Sequence, residues 1–191
     1  VLLTFVIIGI YSRVSMNAFG NKISSDSTKI VTEMAEQAIV EKARTVAREL
    51  RLVLELHPDI APEKLNETSL IRETAIQQVG RTGYTVLWEV PKAGSAVSPT
   101  WVHPDNGLIG KDTPPLVKKR LGSRYLEWFT VYQGCYHNEE AKGYYLWEDQ
   151  NGNMRQKFLA CAPIPNTPYA VSATTYLDDF LAPVKNIDHE I

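Results

Sequence analysis

VGRTGYTVLWE, residues 79–89, is the stretch on which the fold turns. Gly80 and Gly83 bracket Arg81 and Thr82, and an apolar, aromatic run follows at once. A phosphate-binding P-loop needs GxxxxGK[ST] between a strand and a helix. Here the glycines stand three apart, no Lys-Ser or Lys-Thr follows, and the flanking order is helix then strand. The dinucleotide fingerprint GxGxxG fails on the same grounds. Gly80 instead reads as the residue that ends a helix. Gly83 reads as a turn, and residues 84–89 as the first strand of a sheet.

Upstream of this point the period is helical. No proline occurs before Pro58, and apolar side chains recur at Ile30, Met34 and Ala38, then at Ile39, Ala43, Val46, Leu50 and Val53. Steps of three and four mark one face of a helix spanning residues 17–57. Its polar first half, NKISSDSTK, suits packing against a second copy in a homodimer, although a single long core helix fits the same pattern. Pro58 and Pro62 break the chain, and residues 66–79 predict a second helix capped by Asn66 or Thr68.

The chain opens VLLTFVIIGIY, without a charge. Eleven helical residues at about 1.5 Å each cross only about half of a ~30 Å hydrocarbon core. The run fits the trailing half of a transmembrane helix, a signal-peptide core or a buried helix. The poor small-residue cleavage site after it, and Arg13 placed to snorkel, favour the transmembrane reading.

Downstream the period switches to strands. Residues 84–89 and 95–104 predict two, joined by the turn PKAG. Residues 105–115 read as a loop, and residues 115–133 carry mostly helical character. Residues 143–149 and 153–164 flank a Gln-Asn-Gly turn, a strong hairpin signal. PNTP then turns the chain into a last strand at residues 169–176. Five strands with helices on one face make an α+β sandwich.

Composition narrows the function. With 191 residues, 44% apolar, one domain with a real core is expected. Twenty basic against 22 acidic side chains, a net charge of -2, give no basic stripe for nucleic acid. The four histidines, His57, His103, His137 and His189, form no ligand-spaced pair, and no CxxC occurs, so no metal site is expected. Cys135 and Cys161 could form one bridge or be two small buried hydrophobes. No nucleophile elbow occurs. Glu139–Glu140 and Asp178–Asp179 are sequence neighbours that do not converge on one substrate atom. Neither a catalytic residue nor a cofactor is expected.

What stands out is aromatic content in the sheet half. Tyr84, Trp88, Trp101, Tyr144, Tyr145, Trp147, Phe158 and Tyr169 all fall on predicted strands. Alternation sets Tyr145 and Trp147 on one face and Tyr144 on the other. Such a stripe is usually core, yet Trp and Tyr together need partners for their polar tips. His103 ends a strand, and Lys157 alternates with Leu159 and Cys161. A cation on an apolar face reads either as a carboxylate-capturing group or as a snorkelling edge-strand lysine. The candidate ligand-binding residues are therefore Tyr84, Trp88, Trp101, His103, Tyr145, Trp147 and Lys157.

These residues carry a resemblance. Gly83 and Tyr84, the His103-Pro104 strand end and LIGKD at residues 108–112 resemble the Cache sensor domains, PAS-like extracytoplasmic modules of bacterial and archaeal membrane receptors. Gly143 to Tyr145, Gly152, Lys157, Pro163, Ile164 and residues 174–180 match that family's closing hairpin and last strand. Residues 75–180 are covered, and the likeness is greatest to single-Cache sensors of histidine kinases and chemoreceptors. The resemblance implies a transmembrane helix end at 1–14, a membrane-proximal helix at 15–58, a sensing domain at 59–182 and a linker at 183–191 towards a second span. It implies a small-molecule ligand, such as an organic acid, between the sheet and a lid formed by residues 105–143. The Arg-x-Trp-Tyr pattern of amino-acid binders is absent. The rival is a pilin-like assembly protein, which usually has Glu at the fifth apolar position, where this chain has Phe5.

Overall fold

Thr85 is where the sequence leaves helix for sheet. In the computed structural model its buried hydroxyl donates to the Ala75 carbonyl at 2.6 Å, and Gln77 N–H donates back to that hydroxyl at 2.8 Å. Helix α2 (Ser69–Ala75) therefore stops at Ala75. The chain continues as strand β1 (Gln78–Val79), paired antiparallel with β2 (Gly83–Glu89). Gly80, with φ 59°, belongs to the turn between them and does not cap the helix as the sequence suggested. Thr68 holds the expected N-cap position, but its hydroxyl donates to the Lys64 carbonyl instead.

The structure describes residues 2–137, 139–149 and 151–179, with side chains from Lys22 onward except those of residues 23 and 24. Helix α1 (Leu2–Leu56) runs unbroken through both segments expected at 1–14 and 15–58. Among the described residues no helix is long and apolar enough to cross a membrane. The side chains of the expected membrane segment, and the expected linker at 183–191, lie outside the described residues. The core stripe of α1 is Ala35, Ile39, Ala43, Val46, Ala47, Leu50 and Leu54. Ile30 and Met34, read from sequence as part of that stripe, are 56% and 64% exposed.

Beyond β2 come β3 (Pro99–Val102), the short β4 (Lys111–Asp112), helices α3 (Thr113–Leu121) and α4 (Tyr125–Gly134), then β5 (Ala141–Glu148), β6 (Met154–Pro163) and β7 (Tyr169–Tyr176). The sheet is antiparallel in the order β4-β3-β2-β7-β6-β5, with β1 on β2. The five expected strands are its long members, and Gly152 at φ 82° makes the β5–β6 turn. Gly83 permits β2 to lie close to β7, since a Cβ there would stand 2.1 Å from the Thr174 carbonyl oxygen.

Helices cover both faces of this sheet, not one. α1 and α2 pack on the face that carries Leu87, Phe158, Ala160, Val171 and Ala173. α3 and α4 cover the opposite face through Val117, Trp128, Val131 and Tyr132. The run KFLACA on β6, Lys157–Ala162, is buried throughout its length, as two-sided coverage requires. Each large apolar side chain so enclosed contributes about 1.5–3 kcal/mol. Cys135 and Cys161 lie in the second layer as free, buried thiols.

Candidate functional site

Between the second face and the α3–α4 lid lies a cavity of about 210 Å³. Alternation along each strand decides what enters it. Tyr84, Val86 and Trp88 come from β2, Lys157 and Leu159 from β6, and Tyr145 and Trp147 from β5. Ser172 and Thr174 of β7 complete the floor. Tyr144 points the other way and meets Phe158 edge-on in the α1 layer, as alternation predicted.

Six of the seven candidate residues line this one cavity: Tyr84, Trp88, His103, Tyr145, Trp147 and Lys157. Trp101 does not. Leu87 pairs with Val102 and Trp88 with Thr100, so Trp101 is the extra residue of a bulge. The bulge undoes simple alternation: Thr100 and His103 face the cavity, while Trp101 packs against the α1 layer and donates its indole N–H to Glu89 at 2.8 Å.

The polar tips of Trp88, Tyr145 and Tyr132 are satisfied. Trp88 Nε1–H donates to Ser172 Oγ at 2.8 Å. Thr174 Oγ1 donates to the Phe158 carbonyl, which leaves it to accept from Tyr145 Oη at 2.9 Å. Ser98 Oγ donates to the Glu89 carbonyl and accepts from Tyr132 Oη at 2.8 Å. Trp88, Tyr132 and Trp128 form a continuous stack, with centroids 4.1 and 4.4 Å apart. Burial raises the pKa of Tyr132 and Tyr145, so both remain neutral donors.

Lys157 is the chemical exception. It is 6% exposed, on an interior strand, which removes the snorkelling reading. Among the described residues its ammonium has no hydrogen bond and no ion-pair partner. It rests among three rings, with Nζ 4.7 Å from the Tyr176 centroid, 5.7 Å from Tyr84 and 5.8 Å from Trp147. Burial, reinforced by Arg120 and Arg155, lowers its pKa from 10.5 to about 8. His103 accepts the Asp105 N–H on Nδ1 at 2.8 Å, which leaves the proton of its neutral ring on Nε2. Burial lowers its pKa as well.

Among the described residues no lining side chain carries a carboxylate, whereas Arg120 of α3 adds a second cation, 4.5 Å from the Trp147 ring centroid. Arg120, Trp128 and Tyr132 were absent from the sequence reading because their seating against the sheet is tertiary. The spacing of Tyr125, Trp128, Phe129 and Tyr132 by three and four was the available signal for an aromatic helix face. No cluster of groups that could hold a metal ion occurs among the described residues.

No protein-family model and no curated protein matches the chain. Among solved structures it is similar to one described as the periplasmic sensor domain of a chemotaxis protein, with a TM-score of 0.52 at 15% identity over 74% of this chain and 92% of that one. A methyl-accepting chemotaxis protein from Vibrio parahaemolyticus gives 0.51 at 11% identity over 81% and 99%. The likeness is one of fold: the expected antiparallel sheet with a long N-terminal helix and a helical lid segment is the observed one, and these chemotaxis proteins share it.

Proposed function

We propose that this chain is the extracytoplasmic sensing domain of a transmembrane signalling receptor and that it binds a small organic acid between sheet and lid. The observation that carries the reading is Lys157, a buried cation with no ion-pair partner among the described residues, set in an aromatic cavity whose described lining contains no carboxylate. Burying an unpaired charge is costly. A carboxylate on that ammonium would offset the cost through charge-assisted hydrogen bonds of about 1.5–3 kcal/mol each. The structural likeness to chemotaxis proteins supports the fold, and the site chemistry supports the ligand class.

The signal follows from which elements the ligand would touch. Lid and sheet both line the cavity, and β7 leads directly to the C-terminal end of the described chain. A ligand that prefers one seating of the lid shifts a two-state population, and a full switch requires about 5.5 kcal/mol of differential affinity. The reading assigns this segment no catalysis and places it outside the cytoplasm, anchored through α1. A pilin-like role accounts for an apolar helix joined to an α+β head but gives the buried cation nothing to do.

The test is thermal unfolding of the chain with a panel of organic acids, amines and amino acids. Organic acids are expected to raise the midpoint in a concentration-dependent way, and the effect is expected to vanish in Lys157→Met. A panel in which only amines or no compounds stabilise the chain would overturn the reading.

A further inference from the structure

The cavity has two chemically distinct ends. Lys157 and Arg120 stand near the Trp147 ring, one supplied by the sheet and the other by the lid. The remainder carries no charged side chain beyond His103 and is mostly aromatic and aliphatic, with Ser172 and Thr174 engaged in hydrogen bonds on the floor, and its wall is the continuous ring stack Trp88–Tyr132–Trp128. We infer that the ligand is a monocarboxylate with a planar, apolar body, an aromatic acid of the size of benzoate. Its carboxylate lies between Lys157 and Arg120, and its ring lies against the stacked wall. The inference rests on the organic-acid reading of the site and narrows it.

Three features select this class. The cationic groups share one neighbourhood, and His103 stands by the same Tyr84 ring as Lys157, so a second carboxylate directed away from them would fall on the stacked wall and lose its hydration without a partner there. Among the described residues no acidic side chain lines the cavity, so an ammonium group would also be unpaired there; this excludes amines and disfavours amino acids. Planar bodies gain from offset or edge-on contact with aromatic rings, whereas a two-carbon acid leaves the wall uncovered. Arg120 reaches the ligand from α3, so the bound carboxylate also ties lid to sheet; in the structure its exposed side chain lies over the Trp147 ring and donates to the Glu148 carbonyl at 3.4 Å. The charges facing Lys157 are Arg120 from the lid, Arg155 from its own strand and Asp179 beyond β7.

Calorimetric titration of the 191-residue chain with benzoate, acetate, succinate, benzylamine and phenylalanine tests this. Benzoate should bind at least about tenfold more tightly than acetate or succinate, the equivalent of one good contact, with no heat from benzylamine or phenylalanine. Lys157→Met should abolish benzoate binding, and Arg120→Gln should weaken it about tenfold. Arg120 is exposed, so its variant keeps the fold and stays informative even if Lys157→Met does not. Acetate or succinate binding as tightly as benzoate would overturn the aromatic inference and leave the organic-acid reading standing. Failure of every carboxylate, or binding of benzylamine, would overturn both.

Discussion

Lys157 and Tyr176 face one another across β6 and β7, the lysine Nζ 4.7 Å from the tyrosine ring centroid. The same ring carries the Arg155 guanidinium, its carbon 3.9 Å from the centroid. Rings, not carboxylates, thus hold the cation in the cavity. Arg155 in turn is paired with Asp178 and Asp179, at the end of the last strand. The cavity's lysine and the residues that follow β7 therefore meet around the Tyr176 ring.

An unpaired buried lysine should destabilise the protein. Its pKa is lowered, chiefly by burial, from 10.5 to about 8. Between those values the unfolded chain holds a proton that the folded chain lacks, so stability rises with pH there. Below about 8 both states hold the proton, and the full burial penalty is present. Lys157→Met should therefore be more stable than the parent at neutral pH, by on the order of 3 kcal/mol. The gap should close as pH rises from about 8 to 10.5. Urea unfolding across that range checks this, and a variant less stable at neutral pH would mean that the charge is compensated.

Trp101 and Trp147 should part company. Trp147→Ala removes a ring beside Lys157 and Arg120 and should weaken organic-acid binding about tenfold. Trp101→Ala should change it less than about twofold, because the bulge turns that side chain to the α1 layer. Equal losses in calorimetry would show that the bulge does not exist in solution.

Gly83→Ala should be severe. The added methyl would meet the Thr174 carbonyl oxygen at 2.1 Å and Thr175 Cβ at 2.4 Å, and one obstacle is backbone of a central strand. A loss of about 3 kcal/mol or more in denaturant unfolding is expected.

Arg155→Gln should loosen the exit. Asp179, whose side chain is 7% exposed, would lose its cation and keep only Thr82 and Thr175 as partners. A cost of about 1–3 kcal/mol is expected, together with faster amide exchange at residues 176–179. Unchanged exchange there would separate the junction from the network.

The strands were legible because their ends are marked chemically. Gly152 and the PNTP turn bound β6 and β7, and period-two alternation then placed Lys157, Tyr145 and Trp147 on one face. Trp101 was misplaced because a bulge adds a residue without any change in composition. Gly80 was misread because β1 has only two residues, and the helix is stopped by Thr85, ten positions after Ala75. Coverage of both faces and the cavity's second cation depend on how α3 and α4 seat against the sheet, which no local pattern encodes.

The central claim is that Lys157 waits for a carboxylate, and its own titration tests that most directly. Carbon-13 NMR of ε-labelled lysines, with Lys157 assigned by the signal missing from Lys157→Met, reports its pKa with and without benzoate. The account predicts titration near 8 in the free protein and a clear upward move when benzoate saturates the site, because a neighbouring negative charge favours the ammonium form. A Lys157 that titrates at its ordinary 10.5 without ligand, or that benzoate and every other organic acid leave unmoved, would contradict it.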